Sequence, residues 1–195
     1  LTLSNRRLKE IITRLNEIEH LDFIRFHTRT PIVNPKRVDE GLMDIINTSK
    51  KPIYIVFHVN HAQEINDKIV DMLAKLSMTR AVLLSQTVLL KNINDNVEAL
   101  ENLFRTLVKN YVKPYYLHHP DLAKGTGHFR VSIKHGQSLM RTLRGNLSGL
   151  CLPTYVLDIP DGHGKVPINH LYLEELAEHS YAVEDYKGVK HQYND

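Results

Sequence analysis

Residues 51–88, KPIYIVFHVNHAQEINDKIVDMLAKLSMTRAVLLSQTV, hold the pattern that decides the fold. Ile53 to Val59 is a compact run of β-branched and aromatic residues, the composition of a buried strand. From about Ala62 to Leu76 the period changes, and Ile65, Ile69, Met72, Leu73 and Leu76 fall on one stripe of a helix. Ala81 to Leu84 returns to a strand. Strand, helix and strand in this order form a βαβ unit, which implies parallel strands joined by a right-handed crossover.

The same alternation continues in both directions. Upstream, Ser4 reads as the N-cap of a helix carrying Leu8, Ile11, Ile12, Leu15 and Ile18, followed by a strand over Leu21 to His27. A loop containing Thr30, Pro31 and Pro35 leads to a helix over Val38 to Ile46. Downstream, Asp95 to Lys109 is helical with Val97, Leu100, Leu103, Phe104 and Leu107 inward, and Val112 to Leu117 is a strand. A helix around Gly136 to Leu143 leads to a last strand over Tyr155 to Leu157. Strand starts recur roughly every thirty to forty residues with a helix in each gap, so the fold class is α/β, as a barrel or an open sheet. The tail from Asn169 to Asp195 is polar, rich in Glu, Tyr and His, and reads as a helix followed by a loose end. A fold of this kind normally begins with a strand. The first helix starts at residue 4 without one, which predicts further elements upstream.

The bulk numbers narrow the function classes. A chain of 195 residues, 42% hydrophobic and 24% charged, has the composition of an ordinary globular domain. No apolar run approaches the roughly 18 residues of a membrane helix and no signal peptide is visible, so a cytoplasmic protein without a membrane role is expected. A formal net charge of +3 is small, and nucleic-acid binding would need basic residues gathered on one face. Lys134, Arg141 and Arg144 form such a group on a helix, where a solvated face is the more frequent explanation. The single cysteine, Cys151, excludes an internal disulfide and cannot hold an iron–sulfur cluster by itself.

In parallel α/β folds functional residues gather at the C-terminal ends of strands. Here those ends are polar: His58, Asn60 and His61; Ser85, Gln86 and Thr87; His118, His119 and Asp121; and Asp158 followed by Asp161, His163 and Lys165. All four sets are expected on one rim. Polar residues there also cap helices and satisfy loop backbone. The imidazoles of His58, His61, His118, His119 and His163 raise the alternative of a metal site, though neither HxxH nor HH defines a coordination geometry. Lys165 lies between Gly164 and Val166, with Gly162 close by. Glycines permit positive φ and close approach of a ligand, so Lys165 is either an exposed loop lysine or an amine able to form a Schiff base with an aldehyde cofactor.

Five segments, RTPIVNPKR (29–37), FHVNHAQEI (57–65), LLSQTVLLKNINDN (83–96), KPYYLHHPDLAKGTGHFRVS (113–132) and LRGNLSGLCLPTYVLDIPDGHGKVPI (143–168), resemble in order and spacing the lysine 2,3-aminomutase family of radical S-adenosylmethionine enzymes. The resemblance runs from about Leu3 to Ile168. It implies that residues 1–168 form the C-terminal part of a radical S-adenosylmethionine (β/α) barrel, a partial barrel here, with 169–195 a short C-terminal extension. It further implies that a [4Fe–4S] cluster cleaves S-adenosylmethionine to a radical, and that the amino group of lysine moves from C2 to C3 while held as an imine on pyridoxal phosphate. By position in the matching motifs, Lys165 corresponds to the lysine that carries pyridoxal phosphate. Asp121 and Asp158 correspond to the carboxylates that grip the distal ammonium of the substrate, His58 and Gln86 to residues near S-adenosylmethionine, and His118 to a position near pyridoxal phosphate.

Two departures bear on substrate. The glycine-rich run before the lysine is Asp161-Gly162-His163-Gly164, and His118 stands where the lysine enzyme has tyrosine, as in a related branch acting on a lysyl side chain of elongation factor P. The family's three-cysteine motif and its arginines for phosphate and carboxylate lie before the matching segment. The resemblance therefore implies no metal ligand in this chain, an N-terminal half or complementary subunit as partner, and a homo-oligomer when complete. Lysine or a lysyl group is the expected substrate, and nucleic acid and membrane are not expected partners. The rival reading is an inactive remnant or pyridoxal-phosphate-binding module lacking the iron–sulfur half.

Overall fold

The computed structural model describes residues 1–195. Its central feature is a six-stranded sheet whose strands follow one another in chain order: β1 (Ile24–Thr28), β2 (Ile53–His58), β3 (Val82–Val88), β4 (Lys113–His118), β5 (Thr154–Asp158) and β6 (Lys165–Pro167). The first five are parallel and the sixth is antiparallel to β5. The sheet is not closed: β1 and β6 are its two edges.

Helices fill the intervals. In chain order they are α1 (Asn5–Asn16), the short α2 (Thr30–Val33), α3 (Glu40–Thr48), α4 (Asp67–Ser77), α5 (Val97–Lys109) and α6 (Ile133–Asn146). Each long helix begins at a side-chain cap that satisfies an otherwise free backbone N–H: Ser4, Asp39, Asn66, Asn96 and Ser132 accept from Arg7, Leu42, Ile69, Ala99 and His135 respectively. No helix is long and apolar enough to cross a membrane.

A strand alternates its side chains between two faces, and parallel neighbours joined through helices bury one of those faces. Ile53, Ile55 and Phe57 of β2, Leu83 of β3, Leu117 of β4 and Tyr155 of β5 belong to one core with Leu42 and Ile46 of α3, Leu73 and Leu76 of α4, Leu103 and Phe104 of α5, and Leu139 and Leu143 of α6. The alternate residues form the open face. Register places Arg25 and His27 beside Tyr54 and Val56, His58 beside Gln86, Gln86 beside Tyr116, His118 beside Val156, and Asp158 beside Lys165. Between Ser85 and Gln86 the register with β4 shifts, so that Ser85 pairs with Pro114 and Gln86 with Tyr116. The additional residue, Tyr115, stands beside Tyr116, with ring centroids 3.8 Å apart and hydroxyls 2.8 Å apart.

The expected strands and long helices form, except that α4 starts only at Asp67, capped by Asn66 after a separate turn over Ala62–Glu64, and that Thr30–Val33 is a short helix rather than loop; three further differences have local causes. β3 runs to Val88 rather than stopping at Leu84, because Ser85 and Gln86 pair with both neighbours and Thr87 and Val88 with β4; the buried Thr87 hydroxyl also donates to the Val59 carbonyl at 2.6 Å. Lys165 starts a strand instead of lying in a loop. The chain reverses through Asp161, Gly162 and Gly164, with φ of 62°, 81° and 94°, and Ile159 N–H donates to the Gly164 carbonyl at 2.8 Å. The tail is not a helix with a loose end. It forms a separate antiparallel sheet of β7 (Leu173–Ala177), β8 (Ser180–Glu184) and β9 (Lys190–Asn194), in which Tyr181 pairs with Tyr193 and Val183 with Leu173. Cross-strand pairing overrides the helical propensity of Leu173-Glu174-Glu175-Leu176-Ala177. This sheet rests on α6 through the Arg141–Glu184 ion pair at 2.9 Å.

Two glycines of α6 sit against aromatic rings. A Cβ at Gly136 would lie 2.1 Å from the hydroxyl of fully buried Tyr155, and one at Gly145 would lie 2.2 Å from the ring of half-exposed Tyr186. Overpacking costs most where the neighbour cannot move. Gly136→Ala is therefore expected to lower stability in denaturant unfolding by about 1–3 kcal/mol, and Gly145→Ala by clearly less.

Candidate functional site

The open face carries two groups of polar side chains. On β1, β2 and β3, His27 Nδ1 lies 2.8 Å from Gln86 Oε1, and Gln86 Nε2 lies 2.7 Å from His58 Nε2. Burial lowers the His58 pKa, and the positive charges it would meet at His27, His118 and Arg29 lower it further. This end of the face is thereby held without charge on His58.

The second group spans β4, β5 and β6. Lys165 Nζ donates to Asp158 Oδ1, His118 Nδ1 meets Asp158 Oδ2 at 2.9 Å, and Lys165 Nζ stands 3.4 Å from His118 Nδ1. The amine also lies 5.6 Å from the centroid of the Tyr116 ring. Burial alone would raise the Asp158 pKa, but hydrogen bonds from Lys165 and His118 and the lysine charge outweigh it and hold the carboxyl below its usual range. For His118 burial dominates and the lysine adds to it, so the imidazole pKa falls despite the hydrogen bond to Asp158. A neutral His118 donating from Nδ1 keeps a lone pair on Nε2, a buried atom with no partner.

The strand-end residues expected on one rim divide among different tasks. His58, Gln86, His118, Asp158 and Lys165 are together on the open face. Asp121 is exposed and shares with Asp158 the lining of a cleft of about 630 Å³, whose other walls include Leu122, Ile133, Leu157 and Ile159. Ser85 and Thr87 point into the core instead. His61 caps the turn Ala62–Glu64, and the Glu64 carboxylate accepts from the backbone N–H of Asn60 at 2.7 Å and of His61 at 3.0 Å while pairing with Arg29 at 2.5 Å. Asn60 and buried Asn94 tie the loops after β2 and β3 together. His119 turns to the hydroxyl of Tyr155 at 2.7 Å. No three His, Cys, Asp or Glu side chains are grouped to hold a metal ion, and Cys151 is buried. The strand-end reading missed His27. Its period-two spacing from Arg25, in register with Val56, is the signal that places it on the open face.

The family model described as Lysine-2,3-aminomutase matches residues 140–195. The chain is 35% identical over all its length to an L-lysine 2,3-aminomutase of Fusobacterium nucleatum and 34% identical over all its length to one of Clostridium subterminale, covering 46% and 47% of those proteins. Over its whole length the chain is thus similar to members of the lysine 2,3-aminomutase family. A glutamate 2,3-aminomutase of Clostridioides difficile is a further relative, 38% identical over 89% of this chain and 41% of its own length. The members of the family matched here are thus aminomutases, which are isomerases, and the chain spans about half the length of the curated relatives it matches. Among solved structures, a dihydrodipicolinate synthase from Agrobacterium tumefaciens resembles 78% of this chain and 57% of its own at 11% identity and a TM-score of 0.45. At that level of likeness the fold rests on the strand pairing described above.

In this chain, His58, His118 and His119 all have depressed pKa values, each chiefly through burial. The unfolded chain binds the proton more readily, so the stability they contribute is complete above the ordinary imidazole pKa of about 6.5 and is lost as pH falls through the lower folded values. Asp158 likewise contributes above the carboxylate range and loses its contribution in strong acid. Denaturant unfolding should show stability falling from pH 7 to pH 5, with a shallower slope in His118→Gln.

Proposed function

We propose that the chain is the C-terminal half of a lysine 2,3-aminomutase-like radical enzyme that moves the amino group of lysine, free or within a protein, from C2 to C3. The observation that carries this reading is the cluster of Lys165, Asp158 and His118 on the open face, in a chain similar to this family. The open sheet is then an arc of a (β/α) barrel that an N-terminal half or complementary subunit completes, and the complete enzyme is a homo-oligomer.

The residues fit pyridoxal phosphate. Lys165 presents its amine on the open face, the Tyr116 ring lies beside it, and the unpartnered His118 Nε2 is ready to accept a hydrogen bond. Pyridoxal phosphate, when bound, supplies an aldehyde that captures an amine and a conjugated ring that spreads an unpaired electron. His58 and Gln86, neutral and polar, would lie beside S-adenosylmethionine. A [4Fe–4S] cluster does not fit the residues present, because Cys151 is buried and solitary. Its ligands would come from the other half.

Lys165 can act as a nucleophile only after its ammonium has passed a proton to solvent, and until then Asp158 Oδ1 is the group positioned to hold its positive charge. Once Lys165 is no longer an ammonium, Asp158 keeps His118 on Oδ2 and leaves Oδ1 free. Asp158 and Asp121 then face a second ammonium, that of the substrate, across a cleft whose apolar walls suit a methylene chain. The amine of Lys165 thus stands in for the substrate's own ammonium.

The reconstituted protein, with iron, sulfide, S-adenosylmethionine and pyridoxal phosphate, should form β-lysine or a β-lysyl product; no product under these conditions would end the catalytic reading. Pyridoxal phosphate added to the 195-residue chain should give a visible absorbance band that Lys165→Ala abolishes, and a band unchanged in that variant would remove the cofactor from Lys165. Asp121→Asn and Asp158→Asn should each lower kcat/KM for lysine roughly 10- to 150-fold, the worth of one charge-assisted hydrogen bond.

A further inference from the structure

The chain His27–Gln86–His58 crosses three adjacent parallel strands and joins two imidazoles through one amide. A primary amide has an acceptor oxygen and a donor nitrogen. Placed between two neutral imidazoles, it accepts from one and donates to the other. With Oε1 on His27 and Nε2 on His58, His27 donates from Nδ1. His58 accepts on Nε2 and keeps its proton on Nδ1. Reversing the amide exchanges these roles and still leaves one imidazole as donor and the other as acceptor. Protonating the accepting ring would set N–H against N–H across a 2.7 Å contact, which reinforces its neutral state. The rings meet edge to face, with centroids 6.4 Å apart.

We propose that His27 is a positioning residue that, acting through Gln86, holds His58 neutral and in a single tautomer. The β1–β3 end of the open face then offers the Nδ1–H of an uncharged His58, while the β4–β6 end holds the ion pair. The chemistry this end receives is an uncharged group that accepts a hydrogen bond, such as a hydroxyl or an amide. The assignment of S-adenosylmethionine as the molecule bearing that group rests on the proposed function, and a neutral His58 does not repel the cation such a molecule carries. The tautomers themselves rest on the hydrogen bonds alone.

Imidazole ¹⁵N–¹H correlation spectra of the 195-residue chain test this without turnover. In the wild type, His58 should show one neutral tautomer, and His27 and His58 should take opposite roles toward Gln86. Gln86→Glu replaces the amide by a group that only accepts, so His58 should move its proton to Nε2. His27→Phe removes the partner that orients the amide, so His58 should show both tautomers. An unchanged His58 tautomer in His27→Phe would overturn the role of His27, even if Gln86→Glu shifts it. Two imidazoles with the same role in the wild type would overturn the relay. In the reconstituted enzyme His27→Phe should raise KM for S-adenosylmethionine about two- to tenfold, the worth of one neutral hydrogen bond, with kcat little changed. Absence of any aminomutase turnover would count against the proposed function and leave the tautomer signals as they are.

Discussion

Five parallel strands paired in chain order must send every crossover over the sheet, and with right-handed crossovers all four connecting helices cover the same face. From that constraint the rest follows. Ile55, Phe57, Leu117 and Tyr155 enter a dry core against α3–α6, and the intervening residues are left on a face with no helix over it. A shift of one residue in any strand would exchange the two sets, so the core specifies the register and the register aligns the polar side chains.

The open face is electrostatically divided. Over β1–β3 an amide binds two imidazoles and burial keeps His58 uncharged. Over β4–β6 a carboxylate is shared between a lysine and a histidine. The rings of Tyr115 and Tyr116 stand on β4 beside the lysine, brought side by side by the register shift opposite Ser85 and Gln86.

The reversal at Asp161–Gly164 supplies the contact between Lys165 and Asp158. These residues are seven apart, and a parallel continuation would carry them away from each other. Positive φ at three positions folds β6 back on β5 and makes them direct cross-strand partners. In the tail, by contrast, strand pairing and the ion pair from Arg141 to Glu184 prevail over a segment rich in helix-forming residues.

Local pattern was sufficient for the order of the strands and long helices of residues 1–158, though not for every boundary, since alternation, helical stripes and caps act over a few residues and need no partner to be legible. The strand-end rule pointed to His58, Gln86, His118, Asp158 and Lys165 for the same reason: each closes or follows a strand. Tertiary structure alone decided which strand-end residues turn inward, such as Thr87, which serve loops, such as His61 and Asn60, and which unite on the open face. It also decided that His27 joins them and that the tail forms a sheet. Those outcomes depend on pairing between segments tens of residues apart, and the energy of a cross-strand contact is not a property of either segment by itself.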